Sequence, residues 1–242
     1  MPNFEMTDYK ADFARMGAVY ERPDLPGAPH IKVIKSSFHT ESYFNSDYAE
    51  QYPDVMAEIA AEWAARLEEA NLVPDRVIGH AAYAVIPAQA LAVALRERRH
   101  NVLVGYSKQS KDPKRGYETS FPVRSGEKVV VVADDVVTGN STISTARNVK
   151  SKGGIILPVV PCLADLSNTE VLDWDNGEPP AEYMAASTFK PERYRTKDRP
   201  CDLCRTIGSA ALEPREEDNW EEKLLPWMPG GEAWKQAQAN HV

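Results

Sequence analysis

The sequence predicts an α/β domain built on a buried parallel β-sheet flanked by helices, and three observations carry that prediction. Apolar, strand-like runs alternate with helical patterns from about residue 53 to residue 165. The runs are continuously apolar, as in "VVVVA", which marks strands covered on both faces. Small-residue or polar turns join the runs to the helices, the order of a parallel sheet with crossover helices.

Residues 1 to about 30 are polar and then rich in Pro and Gly ("ERPDLPGAPH"), which predicts a loose extension without a chemical role. In "YPDVMAEIAAEWAARLEEANLVPD", Val55, Ile59, Trp63 and Leu67 stand four apart among charged residues, the spacing of an amphipathic helix, with Pro53 at its start and Asn71 at its end. A short apolar run, "RVIGH", leads through the turn "HAAYAV" into a second helical pattern, "IPAQALAVALRERR". "NVLVGY" reads as a strand, and the polar stretch after it, "SKQSKDPKRGYETSFPVRSGEK", has no apolar periodicity. A loop of that length predicts a lid or a binding segment. Strand "KVVVVA", helix "STISTARNVKSKGG" and strand "GIILPVVPCLAD" complete the alternation. From about Phe189 the chain turns to Pro, Arg, Glu and Trp, predicting a tail laid over the domain rather than a second core. The expected organisation is an extension (1–30), an α/β domain (31–188) and a C-terminal tail (189–242).

The 242 residues are 43% apolar and 26% charged, so a real core is expected. A net charge of -8 argues against nucleic acid as a partner, because phosphate-backbone affinity rests on clustered cations. The first residues lack a signal-peptide pattern and the apolar runs are too short to span a bilayer, so a soluble, cytoplasmic protein without a membrane partner is expected.

The stretch "VVVVADDVVTGNST" (129–142) carries the chemistry. Asp134 and Asp135 within a strand would point to opposite sides, but where the strand gives way to a loop both can reach one polyol or cation. The small residues that follow let consecutive amides converge on a phosphate, with the helix N-terminus adding partial positive charge. Acids for hydroxyls beside a nest for a phosphate describe a sugar phosphate. A P-loop NTPase would need a GxxxxGK[ST] loop, yet no Gly-Lys pair occurs, and no GxGxxG follows a first strand.

These residues resemble the phosphoribosyl pyrophosphate (PRPP) signature of the type I phosphoribosyltransferases: an apolar strand, two acids, two apolar residues, then Thr, Gly and a terminal Thr or Ser. Asn140 departs from the family's usual Gly. Within the family the chain looks closest to orotate phosphoribosyltransferases. "SSFHTESYF" is similar to an early segment of that group, "GHAAYAVIPAQALA" to its pyrophosphate loop and helix, and the long polar segment to its mobile hood, with Lys108 and Lys111 three apart. Ser107 stands where an Arg is expected, Pro113 near the usual hood His, and Ala84 in place of a frequent Lys. "CLADLS" lacks the Arg that grips orotate's carboxylate, which leaves room for another acceptor base.

The resemblance implies a type I phosphoribosyltransferase-like fold with a flexible hood loop. The implied reaction has a ring nitrogen of a nucleobase displace pyrophosphate from PRPP, with Mg²⁺ bridging pyrophosphate and ribose oxygens. Asp134 and Asp135 would hold the ribose hydroxyls and favour the developing oxocarbenium charge. Thr138, Gly139, Asn140, Ser141 and Thr142 would bind the 5-phosphate; Gly79, His80, Ala81, Ala82 and Tyr83 would face the pyrophosphate. Lys108 and Lys111, with Lys114 or Arg115, would close over it, and a homodimer partner's hood would complete the site. The alternative is a PRPP-binding regulator or sensor acting through protein partners, with the tail "NWEEKLLPWMPGGEAW" as a contact.

Cys201 and Cys204 in "CDLC" have metal-ligand spacing, but a tetrahedral zinc site needs four ligands. The remaining cysteine, Cys162, falls in a predicted buried strand, and His30, His39, His100 and His241 form no readable motif. The expectation is a short knuckle that pins the tail against the domain.

Overall fold

The computed structural model describes residues 4–23, 27–33, 38–112, 116–174, 179–191, 193–195, 201–207, 211–214 and 220–228. Chain order opens with helix α1 (Lys10–Arg15), strands β1 (Val19–Glu21), β2 (Ile31–Lys32), β3 (Phe38–Thr40) and β4 (Ser42–Phe44), and helices α2 (Ser46–Ala49) and α3 (Pro53–Glu69). It continues with β5 (Arg76–Gly79), α4 (Val85–Glu97), β6 (Leu103–Gln109), β7 (Tyr117–Thr119), β8 (Lys128–Val136), α5 (Asn140–Ser151), β9 (Ile155–Ile156) and β10 (Val159–Asp165). The last elements are β11 (Val171–Leu172), β12 (Ala181–Thr188), β13 (Arg193–Arg195), α6 (Asp202–Ile207) and α7 (Trp220–Leu224). They form two units, one of Met1–Tyr9 with Ala49–Phe189, the other of Lys10–Tyr48 with Lys190–Val242.

The first unit is the α/β domain. Its main sheet runs in the order β11-β12-β10-β8-β5-β6-β7. The five inner strands are parallel, while β11 and β7 pair antiparallel at the edges. Val129 to Val132 of β8 are all buried, as a strand covered on both faces requires. Helix α3 starts with Pro53 in its first turn and ends before Asn71, whose φ of 57° is a left-handed stop. Its core stripe is Met56, Ile59, Trp63 and Leu67, with Val55 only half-buried. The Trp63 indole N–H donates to the Met184 carbonyl at 2.8 Å, which fixes it as a core residue.

Several expectations are corrected. "GIILPVVPCLAD" is two strands, β9 and β10, because at Pro158 the chain turns so that the Val159 amide donates to the Leu157 carbonyl at 2.9 Å instead of continuing the ladder. The polar stretch after "NVLVGY" folds into an antiparallel hairpin of β6 and β7, with Lys108 opposite Glu118. Strand β8 runs on through both acids to Val136 instead of ending before them. Strand β12 went unread, since "AEYMAAST" has little intrinsic β character and is a strand only by its neighbours.

The second unit draws on both ends of the chain. Strands β1 and β4 form one antiparallel pair, and β13, β3 and β2 form a small sheet. Tyr20, Ile31, Leu212, Leu224 and Met228 make a core, with Tyr43 packed edge-on to Trp220 at 5.6 Å. The Leu212 amide donates to the His30 carbonyl and the Lys32 amide to the Leu212 carbonyl, at 2.8 and 2.7 Å. The N-terminal stretch is therefore no loose extension, and the tail shares a core with residues 20–43. Segment 31–48, assigned above to the α/β domain, lies in this second unit. Among the described residues no helix is long and apolar enough to cross a membrane.

Candidate active site

Strands β5 and β8 are adjacent and parallel, with Gly79 opposite Val132. The loops that leave their carboxyl ends, 80–84 and 137–139, therefore emerge at the same end of the sheet, with β8 running on to Val136 past the end of β5. Strand β6 lies beyond β5 and β10 beyond β8, so the direction of winding reverses between β5 and β8. In open α/β sheets that reversal is where ligands bind.

The loop after β8 reaches α5 through Gly139, which adopts φ 71° as the residue before the helix. A Cβ there would be strained and would overlap Leu172 Cδ1. Gly139 has no side chain to cap α5, so helix geometry leaves the amides of Asn140, Ser141 and Thr142 without intrahelical partners. Those amides and the helix dipole are an anion site in form. Asn140 is the first helical residue and needs no positive φ, so Asn serves where the family usually has Gly. Thr138 and Asn140 are exposed, Ser141 is half-buried and Thr142 is buried.

The loop after β5 is tightly built. A Cβ on Gly79 would overlap the Ala84 carbonyl, and Ala81 holds a left-handed φ of 56°. The His80 amide donates to the Val132 carbonyl at 2.8 Å and the Ala81 amide to Ser107 Oγ at 3.2 Å. The His80 and Ala81 amides, two of the backbone groups expected to face the pyrophosphate, are thus already engaged, while Ala82 lies at the exposed tip beside the half-exposed Tyr83. Ser107 is fully buried and also bonds Thr145 Oγ1 at 2.9 Å, so it holds this loop to α5. A buried Ser, not an Arg, fits that role. Ala84 is likewise fully buried, with no room for a Lys.

His80 itself is buried, and its ring meets Tyr117 edge-on at 4.7 Å. Its Nδ1 has no hydrogen-bond partner among the described residues. Burial pushes its pKa down to about 4, so the imidazole is neutral near pH 7.

Asp134 is buried and Asp135 half-buried at the end of β8. Asp135 pairs across the sheet with Ala164, next to Asp165 of β10, a third acid that the sequence reading did not single out. The three carboxylates converge closely enough to raise the Cys162 thiol pKa, although burial is the larger cause. Asp165 accepts the Ser167 amide at 2.8 Å, and the segment from Cys162 to Thr169 holds no cation. Leu166 there is buried.

The β6–β7 hairpin carries exposed Lys108 and Lys111. It is fastened to α5: the Tyr117 amide donates to Ser144 Oγ and the Thr119 amide to Asn148 Oδ1, both at 2.9 Å. Pro113, Lys114 and Arg115 lie outside the described residues, as do Ser36, Ser37 and His241. The expectation that "CDLC" lacks metal-binding partners is overturned, since His30 and His39 stand against both cysteines in the second unit.

No family model matches the chain. A curated orotate phosphoribosyltransferase from Archaeoglobus fulgidus is 30% identical over 128 residues, which cover 53% of this chain and 68% of that protein. Another from Sulfurimonas denitrificans is 28% identical over 207 residues, covering 83% and 98%. Among solved structures, orotate phosphoribosyltransferase from Aeropyrum pernix superposes with a TM-score of 0.53 at 19% identity, covering 75% of this chain and 94% of that one. That likeness bears on the fold alone.

Proposed function

Because the chain belongs to the type I phosphoribosyltransferase family and resembles its orotate phosphoribosyltransferases, we propose that it transfers the phosphoribosyl group of PRPP to a nitrogenous base and releases pyrophosphate. One observation carries the reading. An uncapped helix N-terminus led by left-handed Gly139 follows β8, whose end carries Asp134 and Asp135, and the adjacent parallel β5 leads into a loop with a left-handed Ala81.

In this reading the amides of Asn140, Ser141 and Thr142 and the Thr142 hydroxyl take the 5-phosphate, while Ala82 and the neighbouring loop face the pyrophosphate. Asp134 and Asp135 hold the ribose hydroxyls and stabilise positive charge at the anomeric carbon as the C–O bond to pyrophosphate breaks. Lys108 and Lys111 neutralise the departing pyrophosphate and exclude water from the cation. The base nitrogen forms the new C–N bond and its proton leaves on the departing pyrophosphate. The hard carboxylate oxygens suit Mg²⁺, which would screen the pyrophosphate charge when bound with PRPP.

The relatives' names point to orotate as acceptor. The chain's own edge points to a neutral base, because Asp165, Ser167 and Leu166 offer no cation for a carboxylate. A second copy of the chain is the proposed partner. The first unit exposes Leu103, Val104, Tyr106 and Phe121, apolar side chains that a dimer would cover.

The test is pyrophosphate release from PRPP and Mg²⁺ with orotate, uracil and each common purine base offered singly, and with product mass recorded. Release tied to one base supports the transferase and names its acceptor. PRPP that raises the melting temperature without turnover on any base would favour a sensor instead.

A further inference from the structure

The second unit holds a feature that phosphoribosyl transfer does not use. His30, just before β2, and His39, on the neighbouring β3, face Cys201 and Cys204 at the start of α6. One ligand atom from each lies within 4.8 Å of all the others. His30 Nε2 is 3.2 Å from His39 Nδ1, 3.2 Å from Cys204 Sγ and 3.5 Å from Cys201 Sγ. His39 Nδ1 is 3.2 Å from Cys201 Sγ and 3.4 Å from Cys204 Sγ. We propose that these four side chains bind one zinc ion as a closed, tetrahedral structural site.

The distances fit that ion. Zinc–nitrogen bonds of about 2.0–2.1 Å and zinc–sulfur bonds of about 2.3 Å at tetrahedral angles set nitrogen–nitrogen edges near ~3.3 Å and nitrogen–sulfur edges near ~3.6 Å. Hydrogen bonds alone account for the cluster less well. Five contacts join these four atoms, two thiols and two inward ring nitrogens bring at most four protons, and each proton serves one contact. One cation at the centre serves all four atoms.

Two further observations point the same way. His30 is fully buried and its Nδ1 has no partner among the described residues, so the polar demand of its ring falls on the Nε2 that faces the sulfurs. The Cys204 amide donates to Cys201 Sγ at 3.1 Å, a contact that stabilises a thiolate. All three cysteines are free thiols, so no disulfide competes for these sulfurs.

Four protein ligands leave no open position for substrate or water, so the ion holds structure and takes no part in the transfer chemistry. Its effect is to clip residues 30–39 to residues 201–204, which lie more than 160 positions away in the chain. A unit with so small a core gains most from such a clip.

The experiment is metal analysis of the full-length protein purified without chelator, followed by replacement of the metal with Co²⁺. One zinc per chain is expected, and the Co²⁺ form should show intense tetrahedral d–d bands with a sulfur-to-cobalt charge-transfer band. C201S and C204S should lose the metal and the charge-transfer intensity, with melting lowered by about 5 °C or more. H100N, which removes an imidazole from the other unit, should keep both. The cobalt spectrum of the unaltered chain decides the matter even if a cysteine variant does not fold. Protein that neither carries nor takes up zinc or cobalt, with Cys201 and Cys204 as free thiols or joined as a disulfide, overturns the proposal. None of these readouts depends on the acceptor base or on turnover.

Discussion

Gly139 sets the direction from which α5 presents its amides. An Ala there meets two obstacles at once, a left-handed φ and an overlap with Leu172 Cδ1. Gly139→Ala should therefore raise the Kd for PRPP at least ~10-fold and cost about 1–3 kcal/mol of stability. Isothermal titration with PRPP and Mg²⁺ checks the first, urea unfolding the second. Unchanged PRPP affinity would remove this loop from the phosphate site. His80 gives a residue-scale prediction of another kind. An unfolded chain binds a proton on its imidazole below about pH 6.5, whereas the folded protein refuses that proton until about pH 4 because the ring is buried. Stability is thus complete above pH 6.5 and falls as pH is lowered towards 4, by roughly 2 kcal/mol at pH 5. His80→Phe keeps an aromatic edge against Tyr117 and should lose that part of the pH dependence. Urea unfolding of both proteins at pH 7.5 and pH 5 measures the difference, and parallel losses would mean that the imidazole titrates normally.

Among the elements, the β6–β7 hairpin carries Lys108 and Lys111 and depends on α5 for its position. Asn148 Oδ1 accepts the Thr119 amide at 2.9 Å, while the Thr119 hydroxyl has the Phe121 carbonyl at 3.1 Å, so Asn148→Ala strands one donor and should cost about 1–3 kcal/mol. It should also raise the KM for PRPP several-fold and speed hydrogen exchange at 117–119. Normal exchange there would show that the hairpin is held by something else. The same contrast between local and distant contacts explains what the sequence could disclose. Helix α3 was legible because Pro53, a four-residue apolar spacing and Asn71 are all local signals. The strand, turn and helix start of the proposed phosphate loop were legible because acids, small residues and helix start follow one another within fourteen positions. Ser107 holding Ala81, Tyr117 against His80, and the histidines against the cysteines were not, because each joins residues that only the folded chain brings together. Strand β12 was missed for a related reason: its alanines are made strand by β10 and β11, not by propensity.

On the scale of the molecule, the chain passes between the two units three times, at Tyr9–Lys10, Tyr48–Ala49 and Phe189–Lys190. The second unit is therefore built from segments that cannot form it separately. Tyr20 and Ile31 come from the N-terminal part, while Leu212, Leu224 and Met228 come from the tail. If the tail were an appendage, removing residues 190–242 would leave the rest intact. If it is half of a core, the deletion exposes Tyr20 and Ile31 and loses three buried apolar side chains, each worth about 2 kcal/mol. The truncated chain should then bind a hydrophobic dye and show lost protection at residues 19–21 and 31–32, while β8 and β10 of the first unit stay protected. Leu224→Ala, a milder change at a side chain 1% exposed, should cost about 2–5 kcal/mol with exchange rising first in the second unit. Hydrogen exchange read by mass spectrometry on both variants makes the comparison. Unaltered protection at 19–21 and 31–32 in the truncated chain would mean that the N-terminal segments do not need the tail, and the shared core would lose its standing as the basis of the second unit.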